Sequence, residues 1–339
     1  MKCFALVHSG LEKLALKEVQ ELISNKPTIY NGIIEFSVKK KEDVLLLLSR
    51  MQSVRRLLIS MEEECFFPNC TFKVDVENVK GIENRIEIAK RISEGIYAKH
   101  PGVSLNFKHP DLVVVVYVVD GKEYIGVDAA GKELHRRDFR LFPHAASFTG
   151  DTAYAIARAA IDAVDKLGHG PLLVGFCKDG AIAIEAALFL NHLPVRDENW
   201  SCLKFPVFNG VKLLPSLPGN KKVFAFDEST PNVTAAKKNA KLAGVADVLD
   251  VQKRSLDDLD VRYGEEQFGA VIFHLTKKDE DKINEIYHQA YYILKKKGKL
   301  LLVTRGTYEL SISDRFPLLS AEEIVRGESS HKLWVLEKK

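Results

Sequence analysis

Three groups of residues in this 339-residue chain have types and spacings that can do chemistry. The first is the turn Phe176-Cys177-Lys178-Asp179-Gly180, set between an apolar run at 172–176 and a helix-forming run at 181–190. Beyond the next apolar run, 223–226, stands Asp227. A strand, a glycine turn, a helix and an acid after the following strand make a plan for holding a nucleotide: backbone approaches the ligand at the turn, and the acid grips ribose hydroxyls. The same order also serves as an ordinary strand–helix connection. The second group is Lys132, Arg136, Arg137 and Arg140, four basic residues against Glu133 and Asp138, with His135 among them. Such a cluster suits phosphate, because each neutralised phosphate releases counterions. It also suits a solvated linker. The third is His274, which closes an apolar run and is either a strand-ending histidine or a hydrogen-bonding group.

Other chemistries are excluded. Cys3, Cys65, Cys70, Cys177 and Cys202 are odd in number and scattered, without a C-x-x-C pair. That rules out a disulfide framework and offers no zinc signature, so reduced thiols in a reducing cytoplasm and no metal are expected. Cys177 has no base beside it and is not a candidate nucleophile. The composition, 46% apolar and 28% charged, is that of a soluble protein. No apolar run approaches the roughly eighteen residues of a membrane span, and residues 1–7 are too short and too soon polar for a signal peptide. With a net charge of only +3, a nucleic acid must be met by a local patch.

The elements that position these residues follow from periodicity. Ser9-Gly10-Leu11-Glu12 reads as a capping box opening a helix with apolar Leu11, Leu14, Ala15, Val19, Leu22 and Ile23. Strand 29–38 with a turn at Asn31-Gly32, helix 43–51 and strand 55–61 complete a β-α-β-α-β unit of ferredoxin-like character. A second α+β unit follows: strand 72–76, a helix with Ile82, Ile86, Ala89, Ile92 and Ile96 on one face, buried strand 112–119, the Asp120-Gly121 turn and strand 124–127. From Gly150 helix and strand alternate. A small-residue helix 151–167 ends at Gly168. Strand 172–176, helix 181–190, strand 223–226, helix 232–243, strand 270–273, helix 281–294 and strand 299–304 come next. This is the pattern of a mostly parallel sheet covered on both faces, with 333–336 as an antiparallel last strand.

Several segments carry a specific resemblance. Asp128-Ala129-Ala130-Gly131-Lys132-Glu133-Leu134-His135-Arg136-Arg137-Asp138-Phe139-Arg140 resembles the D-x-(S/T)-G-x-x-L-x-x-R-x-(Y/F)-R linker of THUMP-containing RNA guanine-N2 methyltransferases. The run from Phe176 to Ala187 resembles their D-P-F-C-G-S-G-T-I-x-I-E-A-A loop, and Ala236 to Val245, after Asp227, resembles their A-R-x-N-A-x-x-A-G-V helix. The likeness spans nearly the whole chain. It implies an α/β architecture: a C-terminal Rossmann-like methyltransferase fold (151–339) behind a linker (131–150), a THUMP RNA-binding domain (65–130) and an N-terminal ferredoxin-like domain (1–64). It further implies S-adenosylmethionine held by Phe176, Cys177, Gly180 and Asp227, RNA held by Lys132, Arg136, Arg137 and Arg140, and structured RNA, tRNA above all, as the partner.

The departures fall where the chemistry needs its residues. The Asp-Pro before Phe-Cys is Val174-Gly175, and the first loop glycine is Lys178, a long side chain where the cofactor's methionine end needs bare backbone. The acid expected after the third strand is Ser255. The D-x-(I/V)-x-x-N-P-P-Y acceptor reads Gly269-Ala270-Val271-Ile272-Phe273-His274-Leu275-Thr276-Lys277, without the proline turn or the stacking ring. His274 is left as the one acceptor at that position. The leading expectation is an RNA-binding protein without turnover, a scaffold or the silent half of a heteromer. Its rivals are an active guanine-N2 methyltransferase and a nucleotide-binding regulator without RNA.

Overall fold

The computed structural model describes residues 1–164, 170–195, 199–212, 217–326 and 329–339. Two compact units divide the chain: Met1–His135 with Arg196–Pro215, and Arg136–Val195 with Ser216–Lys339.

The first unit runs β1 (Lys2–Val7), α1 (Glu12–Ile23), β2 (Thr28–Tyr30), β3 (Ile33–Ser37), α2 (Lys41–Arg50), β4 (Val54–Ser60), β5 (Thr71–Glu77), α3 (Ile82–Lys99), β6 (Ser104–Leu105), β7 (Leu112–Val119) and β8 (Lys122–Asp128). All eight strands form one sheet, in the order β2-β3-β1-β4-β8-β7-β5-β6. β4 lies antiparallel to β8 with Leu58 opposite Asp128, so the sheet runs straight through the boundary expected at residue 64. Without β8, the β4 edge would leave its amide groups unpaired. Trp200, Cys202, Phe205 and Phe208 also belong to this unit's core, and the Cys202 amide donates to the Ala129 carbonyl at 2.8 Å.

Two local expectations are corrected here. Ser9 does not cap α1; Glu12 instead accepts the Gly10 amide at 2.8 Å. Ile82 and Ile86 are 75% and 62% exposed, because α3 buries only Ser93 and Ile96, near its C-terminal end.

The second unit runs α4 (Gly150–Val164), β9 (Leu172–Gly175), α5 (Ala181–Leu190), β10 (Val223–Asp227), α6 (Thr230–Leu242), β11 (Leu249–Lys253), α7 (Leu259–Arg262), β12 (Phe268–His274), α8 (Glu280–Ile293), β13 (Leu294–Arg305), β14 (Leu318–Arg326) and β15 (Ser329–Glu337). The expected end of the first helix at Leu167 and Gly168 lies outside the described residues. The sheet order is β11-β10-β9-β12-β13-β15-β14. Neighbours from β11 to β13 are parallel, whereas β15 is antiparallel to both β13 and β14. Winding reverses at β9, which has β10 on one side and β12 on the other. The crevice beyond the carboxyl ends of β9 and β12 is therefore where such a sheet binds ligands. No described helix is long and apolar enough to cross a membrane.

Candidate functional site

Lys178 bridges that crevice. Its backbone is left-handed (φ 53°), its side chain is buried, and its ammonium donates to the His274 carbonyl at 3.2 Å. The side chain thus runs from the turn after β9 to the end of β12. Desolvation draws its pKa down to about 8, with the Lys282 ammonium acting in the same direction and Asp227 opposing. Asp227 holds the turn from the other strand. One of its carboxylate oxygens accepts the Lys178 amide at 2.9 Å, and the other accepts the Ser229 amide at 2.9 Å and the Asn232 side-chain amide at 3.0 Å.

The neighbours close the turn further. Phe176, also left-handed (φ 52°), packs its ring 5.7 Å from Phe226 and 5.5 Å from Phe273. The Lys282 ammonium stands 4.0 Å over the Phe176 ring and pairs with Glu228 at 3.2 Å. Gly180 caps α5 at φ 84°. Cys177 is buried, and desolvation pushes its thiol far above the ordinary range, so it is a packing residue.

On the β12 side, His274 is 6% exposed and stacks on Phe148 with ring centres 4.5 Å apart. Burial, with Lys178, His331 and His144 nearby, drives its pKa down to about 2, which keeps the ring neutral. A cavity of about 1080 Å³ opens beside it, lined by His274, Thr276, Arg305, Thr307, Glu323 and His331 among others. Phe176, Cys177, Lys178, Gly180 and Asp227 are absent from its lining.

Two of the four expected RNA-binding residues are committed elsewhere. The Arg137 side chain is 1% exposed and donates to both oxygens of Glu185, at 2.7 and 3.0 Å. Arg140 donates to Asp179 at 2.7 Å and to the Phe148 carbonyl at 2.6 Å. Both arginines therefore fasten the linker to the C-terminal unit, since their donors already face buried carboxylates. Arg136 is exposed, and Lys132 is half-buried within the first unit.

Residues 137–310 match the RMKL-like methyltransferase domain, and residues 49–128 match the THUMP domain. The chain belongs to the RMKL-like methyltransferase family. The tRNA (guanine(6)-N2)-methyltransferase of Archaeoglobus fulgidus is 28% identical over 169 residues, 48% of this chain and 40% of that protein. The ribosomal RNA large subunit methyltransferase K/L of Vibrio parahaemolyticus is 26% identical over 286 residues, 73% of this chain and 40% of that protein. These matches thus span about two-fifths of each relative's length. Among solved structures, TrmN from Thermus thermophilus superposes with a TM-score of 0.71 at 20% identity, covering 100% of this chain and 99% of that one. SMU.472, solved as a complex with SAH, gives 0.72 at 17% identity, covering 100% and 98%. Both share the fold.

Within this RMKL-like domain, sequence reading missed Asp179, Glu185 and Asn239. Asp179 accepts Arg140, the Ser147 hydroxyl at 2.5 Å and the His144 amide at 3.1 Å. A signal existed for Glu185: it is the only charged residue in the apolar α5, and a buried carboxylate demands a cation.

Proposed function

We propose that this chain is an RNA-binding protein, with structured RNA of the tRNA class as its partner, whose methyltransferase domain is closed to S-adenosylmethionine. Lys178 carries the reading. Its aliphatic chain and ammonium stand where the resemblance requires bare glycine backbone, and they tie the β9 turn to the end of β12. The residues present do not fit the cofactor. Three donors already sit on Asp227, which leaves little acceptor capacity for a ribose. A sulfonium would also meet the buried Lys178 ammonium, which desolvation already disfavours. On the acceptor side, Leu275, Thr276 and Lys277 supply neither a rigid proline turn nor a stacking ring. No transfer step is assigned to the site. RNA binding is supported by the THUMP match and by two relatives named as RNA methyltransferases. Five buried thiols suit a reducing cytoplasm.

A second reading, an active S-adenosylmethionine-dependent guanine-N2 methyltransferase, has the stronger comparative support, because these relatives are named as enzymes. In that reading the neutral His274 ring accepts a hydrogen bond from the exocyclic amine. Calorimetric titration with S-adenosylmethionine separates the two. The intact protein is expected to give no binding heat, and Lys178→Gly to gain binding. Micromolar binding by the intact protein overturns closure. Formation of N2-methylguanosine in unmodified tRNA, lost in His274→Ala, establishes the second reading.

A further inference from the structure

With Arg137 and Arg140 committed to buried carboxylates, the same linker still presents a different surface. Leu141 is 66% and Phe142 39% exposed, immediately beyond Arg140. Phe142 does not hang loose. Its amide donates to the Asn239 side-chain carbonyl at 3.1 Å, and the Asn239 amide donates back to the Phe142 carbonyl at 3.0 Å. Asn239 is fully buried and also donates to the Asp179 carbonyl at 3.0 Å. The aromatic ring is therefore displayed on fixed backbone, so little conformational freedom is lost when a ligand meets it.

The helix beneath it is α6, which contains Lys237, Lys238 and Lys241 and no acidic residue. All three lysines are exposed, and among the described residues none is ion-paired. The Lys238 ammonium lies 4.6 Å from the Phe142 ring centre. Leu242, 51% exposed, follows one turn later on the same stripe, and Lys237 and Lys241 make the adjoining one.

We infer that Phe142 and the lysines of α6 form a platform for an unpaired stretch of RNA, a base stacking on the ring and phosphates meeting the lysines. This rests on the RNA-binding reading and names a surface for it. A base has the flat face the ring needs, and its flanking phosphates carry the charge to meet three lysines that have no ion-pair partner among the described residues. An acidic protein surface would satisfy the lysines but set carboxylates against Phe142 and Leu141. An exposed cation–ring contact is weaker than base–aromatic stacking, so Lys238 can leave the ring for a phosphate as the base arrives.

The test is fluorescence anisotropy of the full chain with labelled oligouridylate and with unmodified tRNA, over a series of salt concentrations. Replacing Lys237, Lys238 and Lys241 together by Gln is expected to reduce the slope of log affinity against log salt for oligouridylate by about 2. Phe142→Ala and the better-packed Phe142→Leu are expected to weaken binding roughly 5- to 150-fold with the slope unchanged. Thermal melting shows whether each variant is folded. If the intact protein binds RNA and the variants match it in affinity and slope, the platform is wrong while the RNA-binding reading stands. If the lysine variant loses slope but both Phe142 variants bind normally, stacking is overturned. Failure of the intact protein to bind either RNA overturns both readings, and lysine-dependent binding of polyglutamate in its place would point to an acidic protein partner.

Discussion

Arg137 and Glu185 meet through two short hydrogen bonds with each side chain only 1% exposed. Neither ion has water to fall back on, so each is held by polar partners inside the protein, the other among them. Arg137→Ala would take a bidentate cation from a buried carboxylate in the C-terminal core and is expected to destabilise that unit by about 3–5 kcal/mol. Urea unfolding measures this. The double variant Arg137→Met/Glu185→Met, which removes both charges and keeps the volume, should recover most of the loss. If Arg137→Ala melts like the intact protein and instead loses RNA affinity, the arginine serves the ligand and not the fold. The pairing was half legible: a lone glutamate in an apolar helix calls for a cation, but nothing local says which of several nearby arginines supplies it.

At the scale of elements, the turn after β9 joins two packing demands. Gly175 lies beside Phe273 in the adjacent strand β12 and Phe226 in β10, and a Cβ there would sit 2.4 Å from a Phe273 ring carbon and 2.9 Å from one of Phe226. Gly175→Ala is expected to cost about 1–3 kcal/mol by overpacking, read as a lower urea midpoint with an unchanged m-value. An unchanged midpoint would mean that the aromatic cluster can yield. Gly269, in β12 where the resemblance expects an acid, is similarly close to its surroundings: a Cβ there would meet the Val164 side chain at 2.9 Å and the Gly170 amide at 3.1 Å. Two departures from the motifs, Gly175 and Gly269, are thus also points where neighbouring elements leave little room for a side chain.

Across the whole molecule, buried titratable groups set opposing pH responses. The His274 pKa falls from 6.5 to about 2, so the stability of its neutral ring is fully present above pH 6.5 and is lost as pH falls toward 2. Asp128, fully buried against Arg56 at 2.7 Å, is raised by desolvation to about 6, so its contribution is present below pH 3.8 and is lost as pH rises through 6. Comparing the intact protein with His274→Phe cancels the Asp128 contribution. The variant's stability advantage should grow by about 2 kcal/mol between pH 7 and about pH 5, near the limit of one proton per site. Parallel pH profiles of the two proteins would mean that water reaches the histidine.

Residues 112–119, the Asp120-Gly121 turn and most of the βα alternation after Gly150 specified their elements by themselves, because strand and helix periods are local properties of side-chain order. The two edge strands of the C-terminal sheet, β11 and β14, were not legible in this way. The motif resemblance likewise located the β9 turn, Asp227 and the end of β12 along the chain. Only tertiary structure decided that the Lys178 ammonium reaches the His274 carbonyl, 96 residues away, and that Arg137 and Arg140 face inward. It also decided that residues 199–212 join the core of the first unit, and that Ile82 and Ile86 stay in solvent. Each of these depends on which elements become neighbours, and an amphipathic pattern or a basic cluster fixes a residue's chemistry without fixing its partner.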